Sequence, residues 1–244
     1  ANDIMGADLR RICFEGPAEE LKQTKYTQPA IFVHSVIVSE LLGIAPAAAA
    51  GHSLGEYSAL VAAGALTFED GLRLVKKRGE LMQESGTRSP GTMAAVIGAE
   101  PALVEDACRE AATAGIVQAA NFNSPGQIVI SGSLEGVDRA MEVLKAKGVR
   151  LVKKLPVSGA FHSPLMQYAQ DELGAVLDAT RIHDARFPVY ANVTGLPVTA
   201  ADDIRGNLLR QVTSPVLWQS SMERMLADGL ERFIESGPGN VLQG

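Results

Sequence analysis

Residues 47–63 read AAAAGHSLGEYSALVAA. The stretch opens as an apolar run, 47–52, with the character of a buried strand, and from Ser58 to Ala63 it continues with the spacing of a helix. Between them Gly51-His52-Ser53-Leu54-Gly55 matches Gly-x-Ser-x-Gly. In that setting the motif describes a strained strand-to-helix turn that pushes a serine hydroxyl into the open. Glycines on both sides let the backbone approach closely. The Leu54 amide, at a helix N-terminus, can point at a developing oxyanion. The same five residues also fit a tight turn that takes a serine for its size. A strand feeding a helix through such an elbow assigns the chain to the α/β class.

Toward the N-terminus, 28–42 reads as a helix with Pro29 near its start. Toward the C-terminus, Thr67 reads as the N-cap of a helix over 68–85, with Glu69 and Asp70 in its first turn. Pro90-Gly91 marks a boundary. Beyond it, strands are predicted over 92–97, 117–122, 127–131 and 149–155, and helices over 100–114 and 134–147. Asn123-Ser124-Pro125-Gly126 supplies turn chemistry between the middle strands. The order βαββαβ is the pattern of a ferredoxin-like subdomain, here 91–156, inserted in an α/β core formed by 1–90 and 157–244. In the resumed core, Ser163 caps a helix over 164–179 with Pro164 at its first position. Strands are predicted over 187–192 and 230–235, and helices over 204–212 and 215–227.

The 244 residues are 46% hydrophobic and 20% charged, enough apolar material for a core, which excludes a disordered chain. Cys13 and Cys108 lie far apart in no disulfide or metal pattern, which predicts a reducing, cytoplasmic setting and no metal site. No apolar run of about 18 residues exists, so no membrane-spanning helix is predicted, and residues 1–11 do not resemble a signal peptide. A net charge of −6 with 5% aromatic residues argues against nucleic-acid binding. The chain starts without Met and stops shortly after Gly237-Pro238-Gly239, and so reads as a sequence entered and left part-way.

A nucleophilic serine needs a base. His34 sits in an apolar helical run, His52 is the serine's own neighbour, and His183 lies in a polar stretch. His162 ends Ser158-Gly159-Ala160-Phe161-His162, at a junction before a helix start, where α/β active sites assemble. It leads on those grounds, against the alternative of a loop histidine that caps nearby backbone. No acidic residue stands out as its partner; a backbone carbonyl serves equally to accept from Nδ1. Arg78, in Lys76-Lys77-Arg78-Gly79-Glu80, fits either a solvated basic helix face or a guanidinium that grips a carboxylate.

Five segments together resemble one family. GHSLGEYSALVAAG (51–64), RGELMQ (78–83), NFNSPGQ (121–127), GAFHS (159–163) and ESGPG (235–239) are similar to motifs of the malonyl-CoA:acyl carrier protein transacylases of fatty-acid synthesis, in the same order and over nearly the whole chain. The resemblance implies an α/β-hydrolase-like core with a ferredoxin-like insert. It implies a ping-pong transfer from malonyl-CoA to the phosphopantetheine thiol of acyl carrier protein, through a malonyl ester of Ser53 with His162 as base. By the same resemblance the Gln211 carbonyl orients His162, the Leu54 amide is one oxyanion donor and Arg78 pairs with the malonyl carboxylate. Phe161 falls where related domains favour malonyl over methylmalonyl, and Met82 and Asn121 fall within motifs assigned to substrate binding. No permanently bound cofactor, no membrane partner and a monomeric state are implied.

The family's Gly-Gln-Gly-Ser-Gln motif, whose glutamine supplies a second oxyanion donor, is absent from these 244 residues. So is the segment that follows the Gly-Pro-Gly turn. Loss of one donor costs about 10²–10³ in rate, so weak activity is expected of the chain as written. The basic stretches 73–78 and 145–154 are candidate docking surfaces for an acidic carrier protein. Alternatives are an acyltransferase domain of a polyketide synthase, a serine thioesterase or hydrolase with the same elbow, and a non-catalytic carrier-docking module.

Overall fold

The computed structural model describes residues 1–243. Three short helices open the chain: α1 (Asn2–Met5), α2 (Leu9–Phe14) and α3 (Ala18–Leu21). Their length is too small for a periodic signal, and sequence reasoning missed them. Next come α4 (Thr24–Leu42), β1 (Ala49–Ala50), α5 (Gly55–Ala62) and α6 (Phe68–Arg88). Pro29 lies inside α4, which begins a turn earlier than predicted. Thr67 does cap α6, its hydroxyl accepting from the Asp70 amide at 3.0 Å.

The middle of the chain runs β2 (Gly91–Ile97), α7 (Pro101–Ala111), β3 (Val117–Ser124), β4 (Gln127–Ser133), α8 (Leu134–Ala146) and β5 (Leu151–Lys154). The four strands form one antiparallel sheet in the order β3-β4-β2-β5. Side chains alternate across its pleat. Ala94, Val96, Ile128 and Ile130 enter a core with Val104, Val137 and Leu144 of α7 and α8. Met93 and Val129 point the other way, to Phe161. One face of the sheet therefore has its own helical cover, and the other packs on the segment that carries His162.

The chain closes with α9 (Gln167–Ala179), β6 (Val189–Tyr190), β7 (Pro197–Val198), α10 (Ala201–Gln211) and α11 (Trp218–Ala227). A second, three-stranded sheet has the order β1-β6-β7, with β1 and β6 parallel and β6 and β7 antiparallel. It is flanked by a core in which Phe32, Tyr57, Leu72, Leu74 and Val75 are fully buried.

Several boundaries differ from the sequence reading. The strands predicted over 47–52 and 187–192 keep only two paired residues each. Ser163 and Pro164 start a 3-10 turn, and α9 proper begins at Gln167. The helix predicted from Pro215 begins at Trp218, because Val216 is drawn out to bond β3. The strand predicted over 230–235 is irregular chain, with Phe233 and Ile234 exposed. Among the described residues no strand edge pairs with it, and an apolar run without a partner cannot form a ladder. No helix among the described residues is long and apolar enough to cross a membrane.

Candidate active site

Among the described residues only two that are not glycine have positive φ: Ser53 at 51° and His162 at 57°. A left-handed backbone costs an L-residue about 1–3 kcal/mol and persists where the surroundings hold it. The two strained residues meet, with Ser53 Oγ and His162 Nε2 2.8 Å apart.

The elbow is tight because of Gly51. A Cβ there would lie 2.0 Å from the Gly55 carbonyl carbon, whereas a Cβ on Gly55 would meet nothing within 4 Å. The close approach that the sequence assigned to both glycines depends on the first alone.

His162 is buried, and its Nδ1 lies 2.8 Å from the Gln211 carbonyl oxygen. That carbonyl ends α10, where the last turn leaves oxygens without helical partners. With the Nδ1 proton directed there, Nε2 is bare and accepts the Ser53 hydroxyl. Burial, with the charge of Arg78 added, pushes the imidazole down to about 3, against the pull of the Gln211 carbonyl. The ring is neutral and able to take a proton.

Arg78 is 1% exposed, so the solvated-face reading fails, and with it the idea that 73–78 is one surface patch. Its Nη2 donates to Ser53 Oγ at 2.9 Å and to Gln211 Oε1 at 3.0 Å, and its Nη1 donates to Gln28 Oε1 at 2.6 Å. The guanidinium lies 5.6 Å from the Tyr57 ring centroid. Its Nε and the Tyr57 hydroxyl are buried without a partner among the described residues.

Two further buried side chains hold the elbow's backbone, and a third, Glu56, ties them together. Asn192 Oδ1 accepts from the Ser53 amide at 2.6 Å, and its Nδ2 donates to the Gly51 carbonyl at 2.8 Å. Gln211 Nε2 donates to the Ser53 carbonyl at 2.9 Å and to Glu56 Oε2 at 2.8 Å. Glu56 Oε2 also accepts from the Asn192 amide at 3.0 Å. Burial pushes the Glu56 carboxyl up to about 7, against those donors and Arg78, which pull it down. Glu56 thus braces the elbow and does not orient His162.

The other predicted residues fall as follows. The Leu54 amide donates to no protein acceptor among the described residues, at the head of α5. Met82 reaches Arg78 through Gln28, whose Nε2 donates to its sulfur at 3.4 Å. Phe161 is partly buried between the two cores. Asn121 is buried in β3 at a bulge. His52 bonds Asn123 Oδ1 at 2.9 Å, outside the Ser53–His162 pair. His34 and His183 are exposed, the former despite the apolar helical run around it. Among the described residues no three His, Cys, Asp or Glu side chains are grouped to hold a metal ion.

Sequence reasoning missed Gln28, Asn192, the Glu56 carboxyl and the side chain of Gln211. Only Glu56 carried a local signal, a lone carboxylate in the apolar stretch Gly55–Ala63.

The model of the acyl transferase domain family matches residues 2–244. The malonyl CoA-acyl carrier protein transacylase of Bacillus subtilis is 45% identical over 248 aligned positions, covering 100% of this chain and 78% of its own length. The solved structure of the same enzyme from Coxiella burnetii superposes with a TM-score of 0.95 at 42% identity, over 100% of this chain and 78% of that one. A malonyl-transacylase solved in complex with its type II polyketide synthase acyl-carrier protein gives 0.95 at 41%, over 99% and 80%. With a matching model over almost every residue and relatives this close over most of their own length, the chain belongs to the malonyl CoA-acyl carrier protein transacylases of the acyl transferase domain family.

Proposed function

We propose that this acyltransferase moves a malonyl group from malonyl-CoA to the phosphopantetheine thiol of acyl carrier protein through an ester of Ser53, in fatty-acid synthesis. The observation that carries the assignment of roles is the position of Ser53 Oγ between His162 Nε2 and Arg78 Nη2. His162 Nε2 takes the hydroxyl proton as Oγ attacks the thioester carbonyl. The tetrahedral oxyanion faces the free Leu54 amide. The carbon–sulfur bond then breaks, and the CoA thiol leaves with the proton from His162. In the second half the carrier thiol gives its proton to His162 and attacks the ester carbonyl; the ester C–O bond breaks, and His162 returns the proton to Ser53 Oγ. Gln211 holds the imidazole through its carbonyl.

Arg78 receives the malonyl carboxylate. Its unpartnered Nε is a buried donor awaiting an acceptor, and an orphan of that kind costs about 1–3 kcal/mol until one arrives. Burial is the main cause of the depression of His162, and a carboxylate on Arg78 offsets the second cause, the positive charge beside the ring. Phe161 and Met82 shape the acyl site, with Asn121 at its β3 side. The chemistry needs no resident cofactor, CoA entering as a thioester substrate. A hydrolase of neutral acyl esters would leave Arg78 without a role.

The order β3-β4-β2-β5 supports a ferredoxin-like subdomain over 91–156, and the parallel β1–β6 pair at the elbow supports an α/β-hydrolase-like core over 1–90 and 157–244. The reading includes a cytoplasmic monomer.

Arg78→Ala tests the assignment. Malonylation of Ser53, followed by intact mass, should fall at least tenfold while acetyl transfer gains relative to it. An unchanged malonyl-to-acetyl ratio would remove Arg78 as the carboxylate receptor. Free malonate as the product, with no malonyl-carrier protein formed, would establish hydrolysis instead.

A further inference from the structure

His162 is one of two strained residues, and Ser53, the other, has Asn192 and Gln211 on its backbone. The backbone of His162 is held from elsewhere. Gln118, on β3 of the four-stranded sheet, donates through Nε2 to the His162 carbonyl at 2.8 Å and to the Thr213 carbonyl at 3.3 Å. Thr213 lies two residues beyond Gln211, whose carbonyl orients the His162 ring. One carboxamide therefore joins the residue that bears the imidazole to the turn that bears its acceptor.

The geometry points to Gln118 as a positioning residue for acyl transfer, a two-carbonyl staple through which the four-stranded sheet sets the His162 imidazole against Ser53. The inference rests on His162 as the proton acceptor of Ser53. Gln118 touches neither substrate nor reacting atoms and acts through the φ of His162 and its spacing from Gln211. β3 suits this task because it is bulged at Ala119/Asn121, and bulges re-aim side chains beside active sites.

Gln118 is not what docks the sheet on the core. Ala120 O accepts from the Val216 amide at 2.9 Å, and the Phe122 amide donates to Val216 O at 2.9 Å. Asn123 adds its bond to His52. Loss of the Gln118 amide leaves these in place, so the fold should survive while the imidazole loses its fix. A displacement of about 1 Å at a catalytic group can cost roughly 100-fold.

The test compares Gln118→Glu and Gln118→Met with the parent and with His162→Ala, by quenched-flow malonylation of Ser53 with malonyl-CoA and by thermal unfolding. Gln118→Glu keeps the shape but sets oxygens against two carbonyls, and Gln118→Met removes both donors without adding charge. The expected result is a kcat for acylation lower by roughly 10- to 100-fold, the Glu variant being the worse, with KM for malonyl-CoA within about twofold. Gln118→Met carries the test alone if Gln118→Glu does not fold. Parental kcat per folded molecule in Gln118→Met, with His162→Ala impaired, would overturn the staple and leave the base assignment intact. A lowered melting temperature with kcat retained would reduce Gln118 to a structural contact and overturn it equally. Parental acylation by His162→Ala would instead overturn the base assignment.

Discussion

In the four-stranded sheet, Ala94, Val96, Ile128 and Ile130 meet Val104, Val137 and Leu144, in a layer whose one titratable group is the Cys108 thiol. Around the elbow the buried layer is Glu56, Arg78, Asn192, Gln211 and His162. The two regions are equally dry and are held in opposite ways. The sheet rests on area removed from water, which is non-directional and forgives small shifts. The elbow rests on hydrogen bonds whose partners must each be met, since a buried group left unpaired costs about 1–3 kcal/mol. Damage to the first should appear as lost stability, and damage to the second as lost chemistry.

The largest effect expected is at Gly51. Gly51→Ala drives a Cβ into the Gly55 backbone, which no rotamer change relieves. It should abolish Ser53 acylation, with a stability loss of more than about 3 kcal/mol. Gly55→Ala, at the start of α5 with open space for its Cβ, should leave the stability unchanged or raised by up to about 1 kcal/mol of helix preference. Urea unfolding of the two variants side by side decides it. Equal effects would mean that the motif's glycines act as a pair.

Ile130→Ala breaks the comparison from the other side. Ile130 is fully buried under α7 and α8. Its truncation should cost about 2–5 kcal/mol yet leave acylation per folded molecule unchanged. A fall in kcat at constant stability would show that the helical face of the sheet, and not only Gln118 on β3, is coupled to His162.

The same contrast explains what the sequence disclosed. The βαββαβ order was legible because the short apolar runs of β2 and β4, bounded by turn residues, and the amphipathic spacing of α7 and α8 are local patterns. The three-stranded sheet was legible only as apolar runs, because two-residue strands such as β1 and β6 are defined by a partner about 140 positions away. Ser53 and His162 were found because each sits at a punctuated junction. Asn192 and Gln28 were not, because a buried carboxamide looks like any surface one until its partners are placed. Arg78 shows the limit most clearly. Its neighbours Lys76 and Lys77 suggested a solvated face, and the turn of the helix instead puts the guanidinium on the Ser53 hydroxyl.

The smallest effect lies in pH, and it again separates the two regions. In the site, His162 is held neutral at about 3 and Glu56 is raised to about 7, from ordinary values of 6.5 and 4.5. Between 4.5 and 6.5 the unfolded chain gains a proton at His162, and the folded chain keeps one at Glu56 that the unfolded chain has lost. The two contributions have opposite signs and nearly cancel, so together they make stability flat there. Glu56→Gln removes the second. Stability should then rise with pH across that window, by up to about 1.4 kcal/mol per unit where His162 is fully protonated in the unfolded chain. His162→Gln should do the reverse: with Glu56 alone, stability should fall as pH rises from 4.5 toward 7. In the apolar layer of the four-stranded sheet, Cys108 is the buried titratable group, and burial raises it to about 12. Cys108→Ala should therefore shift stability by one constant amount across pH 4.5–6.5. Urea unfolding of the parent and the three variants at half-unit intervals reads all four slopes. A flat profile in His162→Gln would mean that Glu56 is already ionised in the folded chain, as the partner of Arg78.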